Sequence, residues 1–281
     1  MPATVFFAVL LAAALHASWN ALVKGGHDKF VSMSAIVIGH APLAVVALLF
    51  FPALDIACLP YLIAGAAAHF GYQSFLLMSY RLGDLTQVYP IARGVAPLIV
   101  TAVSVGCLGV ELLSVQYAGI LLIAAGIISV ALVRRADGLR NAPAAFSALV
   151  TGCFIAAYSL NDGWGARVAG SPVAFYAWLS IINAVVWTAA MAIVRPGVVR
   201  RMAANARLLT LFGGSASFIA YAIVVWAFTQ APIPLVTALR ETSMVFALLL
   251  GVFVLKERLD LGKVVSTVVT LTGAALLRLA K

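Results

Sequence analysis

Charge is what this sequence has least of. Of its 281 residues only 10% are charged, and only nine side chains are acidic, against about a quarter charged in an ordinary soluble domain. A chain so poor in charge cannot clothe a water-facing surface, which excludes a soluble globular protein. Cysteine is scarce too: Cys58, Cys107 and Cys153 stand alone without a CxxC spacing, so neither a disulfide framework nor a cysteine metal site is implied. There is no glycine-rich phosphate loop of the Walker type and no HExxH, and no nucleophile, base and orienting group stand together. Direct use of ATP, a cofactor and enzymatic chemistry are therefore not expected.

What is present is apolar: 64% of the residues are hydrophobic. A helix needs about 20 apolar residues to cross a bilayer, and ten stretches qualify: residues 4–23, 31–51, 59–80, 85–107, 114–133, 143–161, 171–194, 208–229, 233–254 and 261–279. The first lacks a positive leader and is too long for a signal h-region, so it reads as a mature helix. The expectation is an all-α, multi-pass membrane protein. Its excess of lysine and arginine, net charge +9, reports orientation before it reports nucleic acid. Thirteen basic residues fall in the loops after odd-numbered spans and only Arg167, Arg278 and Lys281 on the other side. That bias places the first set in the cytoplasm and both termini outside it, in an inner (plasma) membrane. Arg93 and Arg240 belong to neither side.

The sequence also repeats. "YRLGDLTQVYPIARGVAPLIV" aligns without gaps on "AFTQAPIPLVTALRETSMVFA", superposing Arg93 on Arg240, and the same shift superposes Gly126 on Gly273. Upstream, "FAVLLAAALHASWN" resembles "FSALVTGCFIAAYS", with Trp19 over Tyr158. Residues 1–137 and 138–281 thus read as two five-span units. An odd number of spans per unit inverts the second copy, an architecture that in transporters puts the binding site near the midplane.

The twofold layout, these arginine segments and the acid-leucine-glycine tails ("ELLSVQYAGILLIAAG", "ERLDLGKVVSTVVTLTG") resemble the EamA-type transporters of the drug/metabolite transporter superfamily. One departure is that Glu111 to Gly119 is a residue shorter than Glu257 to Ser266, which lacks that glycine. The resemblance implies a ten-helix carrier whose halves enclose a central cavity opening alternately to each side. It also implies a metabolite exporter, with membrane lipid and a small solute as partners, no nucleic acid, and a monomeric or homodimeric state.

Within the spans the polar residues nominate a site. An intramembrane arginine costs about 2.5–3.5 kcal/mol on insertion scales, so Arg93 and Arg240 read as cavity or gate residues, as a structural tie with Glu241, or as side chains snorkelling to an interface. Pro90, Pro97 and Gly94 would open the backbone around Arg93. Tyr89 shares a helix face with Arg93, and Thr237 and Ser243 flank Arg240. "HASWN" puts His16, Trp19 and Asn20 on one face, and "HFGYQ" does the same for His69, Tyr72 and Gln73; rings and amides so arranged suit a binding cavity. His16, His69 and Glu241, taken as the one acid well inside a span, are the candidate proton carriers. Asn161 and Asp162 read as a helix end, and His40 and Asn183 as packing contacts.

Two arginines against one acid favour an anionic or zwitterionic solute, such as an amino acid or organic acid. The expected function is a secondary transporter for a small polar or amphipathic metabolite. A non-transporting scaffold or assembly subunit, and a carrier for cationic drugs or lipid-linked substrates, remain open at this stage.

Overall fold

A computed structural model describes residues 1–24, 28–51, 53–82, 85–133, 142–253 and 261–279. Among them there is no β-strand. Thirteen α-helices follow in order: α1 (Ala3–Lys24), α2 (Lys29–Gly39), α3 (Ala41–Phe50), α4 (Leu59–Leu82), α5 (Leu85–Gly106), α6 (Ser114–Val133), α7 (Ala142–Val168), α8 (Pro172–Val194), α9 (Val198–Asn205), α10 (Gly214–Gln230), α11 (Ile233–Arg240), α12 (Ser243–Phe253) and α13 (Leu261–Leu279). Six segments are long and apolar enough to cross a membrane: Ala3–Asn20, Lys29–Phe50, Ala142–Val168, Pro172–Val194, Leu209–Gln230 and Ile233–Leu250. Large apolar side chains such as Leu49, Phe50, Ile193, Phe253 and Leu261 point outward. A soluble protein would not leave so much apolar surface exposed, whereas a bilayer solvates it. The chain is a polytopic helical membrane protein.

Four helices differ from the sequence expectation. The second stretch is not one helix: it breaks at His40, where Pro42 at the start of α3 withholds a backbone donor. Its first piece, α2, is capped by Asp28, whose carboxylate accepts from Phe30 N at 2.9 Å and Val31 N at 3.2 Å. The stretch expected to end at 161 continues as α7 to Val168, so Asn161 and Asp162 lie inside a helix. Residues 208–229 open on a wide turn, Leu209–Gly213, before α10 begins. The stretch over 233–254 is interrupted between Arg240 and Ser243. No proline causes that last break; Thr242 Oγ1 turns back onto the Leu239 carbonyl at 2.8 Å, drawing the backbone out of the α ladder.

Pro90 and Pro97 sit inside α5, where each withholds a backbone donor, yet the helix runs unbroken past Arg93; the interruption lies beside Arg240 instead.

Packing is dominated by pairs drawn from opposite halves of the chain: α6 against α13, α4 against α7, α1 against α10, and α3 against α8. Where helices cross closely, glycine makes the room. A β-carbon on Gly119 would lie 3.0 Å from the Gly273 carbonyl, and one on Gly126 would lie 3.0 Å from the Ser266 carbonyl. The largest buried apolar cluster, including Ile123, Phe228, Val236, Leu239 and Leu277, spans both halves. It encloses the α11–α12 break, and the candidate site is built around that break.

Candidate functional site

Arg240 ends α11 and Glu241 caps it, its N–H donating to the Ala238 carbonyl at 3.0 Å. The break therefore presents a cation and an acid side by side in the protein interior, 3% and 0% exposed. Across from it, α5 contributes Arg93, 1% exposed. Glu241 Oε2 lies 3.0 Å from Arg93 Nε, and Oε1 lies 3.7 Å from Arg240 Nε. One carboxylate thus serves both arginines. Neither arginine snorkels, since neither reaches a surface.

The two guanidiniums then diverge. Arg93 Nη2 lies 2.8 Å from His16 Nε2 and donates to Ser243 Oγ at 3.3 Å. Arg240 Nη2 donates to Tyr158 Oη at 3.1 Å, and its guanidinium lies 5.7 Å and 5.5 Å from the ring centres of Tyr158 and Tyr221. Arg240 lines one cavity, and Arg93 is not among the residues that line it.

That cavity, about 80 Å³, is walled by α1, α2, α4, α7, α8, α10 and α11. It is room for about half a dozen waters or a small solute. His16 and Trp19 come from α1, His69, Tyr72 and Gln73 from α4, Tyr158 from α7, and Arg240 from α11, with Tyr176 and Tyr221 completing an aromatic wall. Buried polar atoms normally have partners, yet Trp19 Nε1, His40 Nε2, Gln73 Oε1 and Asn183 Oδ1 have no hydrogen-bond partner among the described residues, and all four residues line this cavity. The wall therefore carries donors and acceptors available to a guest.

The remaining nominated residues fall elsewhere. Ser243 and Glu241 sit behind the wall, holding Arg93. Thr237 is fully buried but not on the wall. Asn20 folds back to donate to the His16 carbonyl at 2.8 Å. The side chain of Tyr89 lies outside the described residues, as does the linker 134–141.

Sequence reasoning missed the most consequential acid. Asp162, read as a helix end, is 0% exposed; its Oδ2 lies 2.8 Å from His69 Nε2 and accepts from Tyr221 Oη at 2.9 Å, and its Oδ1 accepts from Asn161 Nδ2 at 3.1 Å. Among the described residues the buried charges are thus two arginines against two acids, and Glu241 is not alone. His40 and Asn183, read as packing contacts, stand on the cavity wall. Tyr158 was within reach, because the repeat superposes it on Trp19. Arg167, placed in a loop by the sequence, instead ends α7 and donates to the Phe228 carbonyl at 2.6 Å from Nη2, satisfying the C-terminus of α10.

Comparison with known proteins is informative at this point. Residues 142–279 match the EamA-like transporter family. One solved crystal structure aligns over 100% of this chain and 98% of its own, with a TM-score of 0.79 at 19% identity; at that identity the likeness concerns the fold. No curated protein matches the chain.

Proposed function

We propose that this chain, which belongs to the EamA-like transporter family, is a secondary transporter of the drug/metabolite superfamily. It carries a small anionic or zwitterionic metabolite through the cavity beside Arg240. The observation that carries this reading is the wall itself: among the described residues Arg240 is the one arginine or lysine on it, set among tyrosines and among polar atoms without hydrogen-bond partners there. A carboxylate or phosphate would meet the guanidinium in a bidentate fashion, and the rings would cover the apolar part of the solute. A cationic solute would face repulsion from Arg240, which disfavours the cationic-drug alternative.

The mechanism we favour is alternating access in ten spans, arranged as two inverted five-span units, residues 1–137 and 138–281. The packing supports it. Exchanging the units turns the α1–α10 contact into α7–α4, and the α1–α12 contact into α7–α5, while α6–α13 and α3–α8 map onto themselves. A two-fold axis in the membrane plane would produce such a pattern. Export from the cytoplasm is the direction the family favours, and the loop charges favour both termini outside.

Counterflow in liposomes tests the proposal. Purified protein should exchange at least one labelled amino acid, organic acid or phosphonate, and that solute should raise its thermal midpoint. A broad panel that neither exchanges nor stabilises would favour the scaffold alternative. Accessibility of a C-terminal tag from outside intact cells checks the orientation.

A further inference from the structure

Asp162 is the buried ionisable group that the transport site does not use directly. It lies mid-helix in α7, where a carboxylate is costly unless satisfied. Gly65, one turn before His69 on α4, leaves its approach open: a β-carbon there would come 2.9 Å from Asp162 Oδ1. Asn161 and Tyr221 donate to it from α7 and α10. The third partner differs in kind. His69 can titrate, and it stands on the cavity wall, with its side chain 12% exposed. Its Nε2 faces Asp162, and Nδ1 has no protein partner among the described residues. The imidazole therefore bridges the cavity and a carboxylate that has no contact with the surface.

We propose that Asp162 and His69 form one proton-binding site, taking up a single proton from the cavity and coupling it to the anion held at Arg240; the coupling, though not the site, rests on the carrier reading above. The proton adds to His69 Nδ1, forming an N–H bond. The Nε2 proton either stays hydrogen-bonded to Asp162 Oδ2 or passes onto it. No proton leaves, and the charge of the pair rises from minus one to zero.

The surroundings turn that change into a signal. His69 stacks on Tyr158, with ring centres 4.3 Å apart, and meets Tyr221 edge-on at 5.5 Å. Tyr176 from α8 lies 5.0 Å from Tyr221. Arg240 from α11 lies over the same Tyr158 and Tyr221 rings, with Glu241 and Arg93 behind it and His16 beyond them. While the pair is unprotonated, Asp162 and Glu241 balance the two arginines. Once it is protonated, the wall carries an excess positive charge beside Arg240, and an anion binds better there. By linkage the anion must raise proton affinity by the same factor.

Infrared difference titration of the solute-free protein in nanodiscs, between about pH 5 and about pH 9 where histidine-linked sites titrate, reads the site directly. A carboxyl or imidazolium band should titrate with a single midpoint. A carboxyl band should vanish in Asp162→Asn and shift its midpoint by about a pH unit or more, a tenfold change in affinity, in His69→Gln; an imidazolium band should vanish in His69→Gln and shift in Asp162→Asn. If Asp162→Asn fails to fold, Asp162→Glu should keep a titrating band with a displaced midpoint. A spectrum in which no band in this range responds to either position overturns the proposal. Wild-type protein that titrates but supports no counterflow would sink the carrier reading alone; protein that exchanges solute with no titrating band would sink the proton site alone.

Discussion

Arg93 and Arg240 occupy matching places in two similar segments, yet the protein uses them differently. Arg93 lies in an unbroken helix, walled off from the cavity, and is held by Glu241, His16 and Ser243. Arg240 ends a broken helix and faces the cavity through two tyrosine rings. The position matching Glu241 in the first unit is Gly94, where a β-carbon would come 2.6 Å from the Ile128 side chain. There is no room for a second acid. One carboxylate must therefore serve both cations, and the arginine from the acid-free segment becomes the tie while the other is left to face the cavity. Among the many differences between the two segments, glutamate at 241 where the other has Gly94 is the one that puts the shared acid beside Arg240.

Variants can break this division or sharpen it. The largest effect is expected from Glu241→Gln, which leaves two buried guanidiniums without their shared anion. Removing one partner of a buried ion pair costs about 3–5 kcal/mol, so folded yield and thermal midpoint in detergent should both collapse. Arg93→Gln should come next, at about 2–3 kcal/mol, because His16 and Ser243 lose a charged donor while Glu241 keeps Arg240.

Smaller still is the α6–α13 crossing. Gly126→Val and Gly273→Val should each cost about 1–3 kcal/mol through overpacking, and by similar amounts, since the two positions meet equivalent neighbours, Thr270 and the Ser266 carbonyl for one, Ile123 and the Gly119 carbonyl for the other. Unequal melting losses would weaken the two-fold reading. Arg240→Gln should cost about 1 kcal/mol or less in stability but abolish solute-dependent stabilisation and counterflow. If it melts as early as Arg93→Gln, the division between tie and cavity residue fails. Asn20→Ala, which removes only a local bond to the His16 carbonyl, should shift stability by under about 1 kcal/mol and leave exchange rates within about twofold.

Much of this was legible beforehand because bilayers impose one-dimensional rules. Apolar stretches of the right length become helices, and loop charges and repeated segments can be counted along a line. His16, Trp19, His69, Tyr72 and Gln73 were nominated from helical spacing and Arg240 from its charge inside a span, and all reach one cavity. Asp162 was not. Asn-Asp-Gly is a turn signal when read locally, and the partners that let it stay in a helix, His69 and Tyr221, lie 93 and 59 residues away in the chain. Likewise two prolines promised a break in α5, but the break formed in the segment that ends on Arg240, where neighbouring side chains take over the freed backbone groups.

By itself the sequence determined the solvent, the helical class, the internal repetition and the presence of two intramembrane cations, since each follows from composition or from periodicity along the chain. Only the tertiary structure decided which arginine faces the cavity, that one glutamate joins both, and that Asp162 is paired with His69. Those outcomes depend on which side chains from distant helices arrive within about 3 Å of one another, and a buried charge is tolerated only where such partners arrive.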